Sequence, residues 1–380
     1  MKRYILKHKL EYINSELKKI KRNNLYRKMN DAVINGPYIT INSKILINLS
    51  SNDYLGIKSS KITKKQNQSS SRLIAGNSKS FKILENKLAK HKSQENSLIF
   101  PTGYMTNLGV ITSLVKKNDL ILSDEKNHAS LIEACKMSDA KISIFMHNNM
   151  DDLESKIKTK AKRKFIITEG VFSMDGDFSN LKRISEISEK NNAITILDDA
   201  HGDFTLGDDG KGTADHFDVS KKIDVYTSSL SKGLGSFGGY VSSKKNVIEL
   251  CINKSKPFIY TSALPTFLVD DAIKRFDSDR EIKRKNLWKN ANMFSKGLKK
   301  IGFDVKSLSH IIPIIIGKEK TTLEFGSYLF KNGIFAQPIR YPTVPYNEAR
   351  IRVSITAMLT KNHITNSLNV FESAKKKFRL

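Results

Sequence analysis

Short apolar runs recur through the middle of the chain, at Ser97–Phe100, Leu120–Leu122, Ile142–Phe145, Phe165–Thr168, Ile194–Leu197 and Val225–Thr227. Such runs are short and rich in Ile, Leu, Val and Phe, so each predicts a strand. Helically spaced stretches separate most of them, for example Phe81–Lys92, Ser130–Met137 and Leu181–Lys190. Strand and helix in alternation predict an α/β fold, with a mostly parallel central sheet and helices on both faces. The flanks have another pattern. In residues 1–30, Ile5, Leu6, Leu10, Ile13, Leu17, Ile20 and Leu25 recur near helical spacing among many lysines. That predicts a basic amphipathic helix packed on the body of the protein. Residues 270–380 predict a smaller lobe of helices and short strands. The expected divisions are an N-terminal helical segment over 1–45, a large domain over 46–269 and a small C-terminal α/β domain over 270–380.

Composition narrows the class. No apolar stretch approaches the ~20 residues of a membrane-spanning helix. The start, MKRYILKHKLEYI, has no long apolar core and no small-residue cleavage site, so no secretory signal is expected. Cys135 and Cys251 have no second Cys or His at metal-ligand spacing. They are expected to be buried free thiols, no metal site is expected, and a cytoplasmic location follows as the expectation. The formal charge of +27 raises nucleic-acid binding. The lysines are spread along the whole chain, however, with no zinc-finger spacing and no RNA-binding aromatic motif. No nucleic-acid and no membrane partner is expected; a basic surface would instead draw an anionic substrate carrier.

The chemistry collects where strands end. Phe100 is followed by Pro101-Thr102-Gly103-Tyr104, Leu122 by Ser123-Asp124, Thr168 by Glu169-Gly170, and Leu197 by Asp198-Asp199-Ala200-His201. In open α/β sheets, ligands bind beyond the carboxyl ends of the strands. A carboxylate such as Asp198 at the mouth of a buried strand needs a partner: a protonated pyridine nitrogen is one, the start of a helix another. Lys232 stands alone among Ser228-Ser229-Leu230-Ser231 and Gly233-Leu234-Gly235, just past a strand. An amine so placed can form a Schiff base with a carbonyl, and the loop's hydroxyls and N–H groups can hold a phosphate. The 34 positions from Asp198 to Lys232 leave room for a crossover and the next strand, so both can reach one sheet edge. Gly103 and Tyr104 open a helix after a strand, a place where free N–H groups meet anions. His128 starts the next helix; its flat ring can stack on an aromatic cofactor or cap that helix.

Seven motifs in order resemble the α-oxoamine synthases, pyridoxal-phosphate (PLP) transferases of fold type I. They are Asn52-Asp53-Tyr54-Leu55-Gly56, Asn127-His128-Ala129-Ser130, Thr168 through Gly176, Asp198 through Gly202, Ser231 through Gly235, Phe258 through Pro265, and Ala349-Arg350-Ile351-Arg352. The resemblance covers roughly residues 20–365 and implies the following. Lys232 carries PLP as a Schiff base and later acts as the base on the α-carbon. Asp198 pairs with the pyridine nitrogen, His201 and Ser173 bond the ring hydroxyl, and His128 stacks on the ring. Gly103, Tyr104 and Ser229 lie at the cofactor. Ser262 reaches the phosphate from a partner subunit, which implies a homodimer with a shared active site. Arg352 clamps the amino-acid carboxylate, with Thr343 and Arg27 as further substrate contacts. The Tyr-Thr-Ser-Ala-Leu-Pro and Pro-Thr-Val-Pro phrases favour the branch that joins L-alanine to a pimeloyl thioester of CoA or acyl carrier protein. Glycine C-acetyltransferase is the nearest alternative, and a non-catalytic basic binding protein is an alternative of another class. Three departures bear on the acyl donor: Gln66 through Ser71 where the family is glycine-rich, Phe81 in place of a histidine, and Asp203-Phe204 where a small residue and a glycine are usual.

Overall fold

The computed structural model describes residues 11–58 and 70–380. Contacts divide the chain into two compact units. Of the described residues, one holds 52–58, 70–289 and 307–310; the other holds 11–51, 290–306 and 311–380. This differs from the boundaries expected at 45 and 269: one division falls after 51 and another within the residues of the helix Glu281–Lys300.

The larger unit is built on a seven-stranded sheet. Its strands are β4 (Asn96–Phe100), β5 (Leu120–Asp124), β6 (Lys141–Phe145), β7 (Lys164–Glu169), β8 (Ile194–Asp198), β9 (Val225–Ser229) and β10 (Gly239–Ser243). They lie in the order β4-β10-β9-β8-β7-β5-β6. β10 runs antiparallel to the other six strands. The six apolar runs are all strands of this sheet, each extended by one or two residues. The alternation of side chains sorts them onto two cores. Ile121, Phe165, Ile167, Ile196 and Val225 pack on one face with Val110 and Leu131. Leu120, Leu122 and Ile166 face the other way, with Leu153, Ile184 and Ile187. The helices expected from spacing are Lys79–His91, Ala129–Lys136 and Leu181–Lys190. β10 was not anticipated, since Gly-Tyr-Val-Ser-Ser carries too few apolar residues to declare a strand.

The smaller unit holds two sheets. One runs β1 (Ala32–Asn35), β2 (Tyr38–Ile41), β3 (Lys44–Asn48) and β12 (Ile334–Phe335); the other runs β11 (Ile311–Gly317), β14 (Ala349–Ser354) and β13 (Gln337–Ile339). The N-terminal segment therefore differs from the expected 1–45 helix. A helix spans Glu11–Arg22, and a meander of strands follows. Ile5, Leu6 and Leu10 lie outside the described residues. Ile13, Leu17 and Ile20 are 37–39% exposed, so the expected packing of this face on the body is corrected. A narrow apolar stripe bordered by lysines has too little area to hold it there. No helix among the described residues is long and apolar enough to cross a membrane.

Candidate functional site

The larger unit gathers its ionisable residues at the tips of β7, β8 and β9. β8 ends in Asp198, which is buried. Its Oδ2 accepts from Asn107 Nδ2 at 2.6 Å, and its Oδ1 from the Ala200 N–H at 3.0 Å. Asn107 is itself fixed. Its Oδ1 accepts from Thr227 Oγ1 at 2.7 Å, and its amide also donates to Ser130 Oγ at 2.9 Å. The carboxylate is thus held from the helix Gly103–Leu114 and from its own turn.

Three residues on, buried His201 meets Lys232. Lys232 Nζ lies 2.8 Å from His201 Nε2, and His201 Nδ1 lies 2.6 Å from the Tyr54 hydroxyl. Tyr54 donates in turn to Asn52 Oδ1 at 3.2 Å. With Lys232 Nζ donating, Nε2 accepts and the imidazole proton sits on Nδ1. The result is a chain of one sense, Lys232 to His201 to Tyr54 to Asn52. Lys232 is half-buried, in the loop after β9.

His128 caps the helix Ala129–Lys136. Its Nδ1 accepts from the Ser130 N–H at 3.2 Å and lies 2.8 Å from Ser130 Oγ. Burial lowers its pKa; Asp198 pulls it up and Lys232 pushes it down, so the ring feels both groups. Ser173 is buried in the loop after β7. Gly103 begins its helix, and no hydrogen bond from the Gly103 or Tyr104 N–H is found among the described residues. Met105 N–H is taken by Thr102 Oγ1, and Thr106 N–H by the Thr102 carbonyl. A Cβ on Gly103 would stand 3.1 Å from Ser229 Cβ, and one on Gly239 would stand 2.5 Å from Gly103 N. Glycine is what lets this helix start approach the β9 tip so closely. Ser229 Oγ lies 2.8 Å from Ser231 Oγ, while Tyr104 and Ser262 are exposed.

Arg352, Thr343 and Arg27 belong to the smaller unit. Arg352 is buried on β14 and donates to Ser354 Oγ at 2.8 Å. Thr343 is exposed, with its N–H on the Arg340 carbonyl, and Arg27 is exposed after the N-terminal helix.

Sequence reasoning gave no role to Tyr54, Asn107 or Glu169, although Tyr54 and Glu169 stand inside motifs it used and Asn107 lies three residues beyond the Pro101–Tyr104 turn. Glu169 closes β7 in register with Asp198 and is 2% exposed. Burial, then the Asp198 charge, raises its carboxyl well above the ordinary range.

The departures at 203 and 204 lead into a second cluster. Lys92 Nζ lies 2.9 Å from Asp199 and 2.8 Å from Asp203. Asp203 also takes His91 Nε2 at 3.0 Å, Ser228 Oγ at 2.8 Å and the Tyr240 hydroxyl. Asp199 takes the Thr213 N–H and hydroxyl. Phe204 stacks on His91, centroids 4.8 Å apart, with φ at +63°. Burial opposes charge here, yet Lys92 and His91 hold the Asp203 carboxyl well below its usual range. Phe81 is buried under the Arg72 guanidinium at 4.2 Å. Gln66 through Ser69 lie outside the described residues.

Comparison with known proteins agrees over nearly the whole length. The family described as aminotransferase class I and II matches residues 44–371. A curated relative from Thermoanaerobacter pseudethanolicus, named 8-amino-7-oxononanoate synthase, is 41% identical across 98% of this chain and 99% of its own. The solved serine palmitoyltransferase of Sphingomonas wittichii superposes with a TM-score of 0.91 at 26% identity, covering 98% of this chain and 99% of its own. A second structure, of SPT with a PLP internal aldimine, gives the same TM-score, identity and coverage. The chain belongs to the class I and II aminotransferase family and, within it, to the α-oxoamine synthases, PLP-dependent acyltransferases of fold type I.

Proposed function

We propose that this chain condenses L-alanine with a pimeloyl thioester of CoA or acyl carrier protein, releasing CO2 and forming 8-amino-7-oxononanoate for biotin biosynthesis. One observation carries the reading. Lys232, His201 and Asp198 converge at adjacent strand tips in a chain 41% identical to a relative of that name.

The residues fit PLP. Asp198 offers a fixed carboxylate for a pyridine nitrogen, and the close approach of Gly103 to Ser229 brings the helix-start amides of Gly103 and Tyr104, without partners among the described residues, to where a phosphate could be held. His128, kept neutral by burial, is suited to stack on a ring. His201 and Ser173 are proposed for the ring hydroxyl, Tyr104 and Ser229 for the phosphate side. When bound, PLP supplies an electron sink for the bond electrons released at the amino-acid α-carbon.

The chain's own groups do the rest. Lys232 Nζ would hold the PLP aldehyde and, as a free amine, would take the α-proton of the amino acid. His201 receives a hydrogen bond from Lys232 Nζ and relays its own Nδ1–H to Tyr54, which fixes where that amine points. Arg352 is proposed to clamp the alanine carboxylate with a planar pair of donors, with Thr343 and Arg27 touching substrate. We further propose a cytoplasmic homodimer in which Ser262 serves the partner's site. Both cysteines are free and buried, and Tyr12, Ile13, Leu17, Val33 and Ile34 are left exposed on the single chain, which supports a partner copy.

The test is thiol release from pimeloyl-CoA with L-alanine against glycine and serine, with the product identified by mass. Alanine-dependent 8-amino-7-oxononanoate is the expected result. Preference for glycine with acetyl-CoA would move the chain to the neighbouring activity.

A further inference from the structure

Two carboxyl groups close adjacent strands, Glu169 on β7 and Asp198 on β8, paired in register. Their surroundings differ. Both oxygens of Asp198 accept hydrogen bonds, from Asn107 and from Ala200. On Glu169, the backbone N–H groups of His128 and Ser173 donate to the carboxyl, yet Oε1 is buried with no hydrogen-bond partner among the described residues. Nor does any described cation form an ion pair with it; the charges it feels are Asp198, which repels, and Lys232. Two neighbouring carboxylates in a buried site cannot both ionise cheaply, and the proton goes to the one that keeps an oxygen unsatisfied.

We propose that Glu169 works as a neutral carboxylic acid in the floor of the site. One oxygen holds the His128 and Ser173 amides, and the other presents an O–H to a hydrogen-bond acceptor of the bound cofactor. Glu169 is then a positioning residue. It fixes the two loops that carry His128 and Ser173, and it leaves Asp198 as the single anion facing a pyridine nitrogen. The inference rests on PLP occupying this site, but not on which amino acid or thioester reacts there.

The test uses full-length holoprotein and two variants, Glu169→Gln and Glu169→Ala. The infrared difference between wild type and Glu169→Gln should show a protonated-carboxyl band. Glu169→Gln, neutral and still a donor, should bind PLP within about twofold of wild type and keep the visible absorption maximum. Glu169→Ala should bind roughly tenfold more weakly, the scale of one buried hydrogen-bonding group lost. Absence of the band, or a Gln variant weakened as much as the Ala variant, would overturn the proposal. If the Ala variant does not fold, the band and the Gln variant still decide. A band present in a protein that makes no product from alanine would leave this inference standing and sink the proposed reaction instead.

Discussion

The turn from 198 to 204 feeds two clusters of buried charge that obey opposite rules. Asp199 and Asp203 enter a cluster closed upon itself: Lys92, His91, Thr213, Ser228 and Tyr240 supply donors to both carboxylates. Asp198 and His201, three residues apart in the same turn, enter one that is incomplete. There Lys232 is half-buried, and Glu169 keeps an oxygen with no hydrogen-bond partner among the described residues. Satisfied ionic clusters hold a shape, whereas a cluster with valences left over is built to receive something. The first cluster fixes the turn so that the second can be open. It also braces the lysine loop, since a Cβ on Gly233 would stand 2.5 Å from the Asp203 carbonyl.

Substitutions should separate the two clusters. The largest effect is expected from Lys232→Ala, which should cut turnover by about a thousandfold or more while leaving the unfolding midpoint near wild type, as measured by steady-state kinetics and denaturant titration. Asp198→Ala comes next. Losing one member of a buried charge pair should weaken PLP retention about a hundredfold on dialysis. Lys92→Met should do the reverse, stranding two buried carboxylates and costing about 3–5 kcal/mol of stability in urea, with kcat per folded molecule largely kept. If Lys92→Met instead lost PLP at unchanged stability, the division between the clusters would be wrong.

The smallest effect concerns His147, clamped between Asp124 at 2.9 Å and Asp177 at 2.7 Å. Burial would lower its pKa, but the two carboxylates outweigh it and raise it from 6.5 to about 9. A raised histidine contributes stability that is whole below pH 6.5 and is lost as pH climbs through about 9. His147→Gln should therefore flatten the pH dependence of Tm across that window, lowering Tm by about 2–4 °C at the acid end and least at the alkaline end.

Most of the sheet was legible because β4, β5, β7, β8 and β9 are buried and rich in apolar residues, and β6, though mostly exposed, keeps Ile142, Ile144 and Phe145. β10 and the β1–β3 meander were not, being polar or exposed in part, so their pairing depends on neighbours distant in sequence. Lys232, Asp198 and His201 were legible because the chemistry needs those residue types at strand ends. Glu169 and Asn107 were harder to see: their importance lies in what surrounds them, an unpartnered oxygen in one and a three-way amide bridge in the other. Asp203 and Phe204 stood out as departures bearing on the acyl donor. Their surroundings explain them otherwise, as fillers of a closed cluster whose partners, His91 and Lys92, lie more than a hundred residues earlier.

The most direct measurement is borohydride reduction of the PLP-loaded protein followed by peptide mass mapping. The account predicts one phosphopyridoxyl group per chain, on the peptide containing Lys232. A label on any other lysine, or none at all, would contradict it.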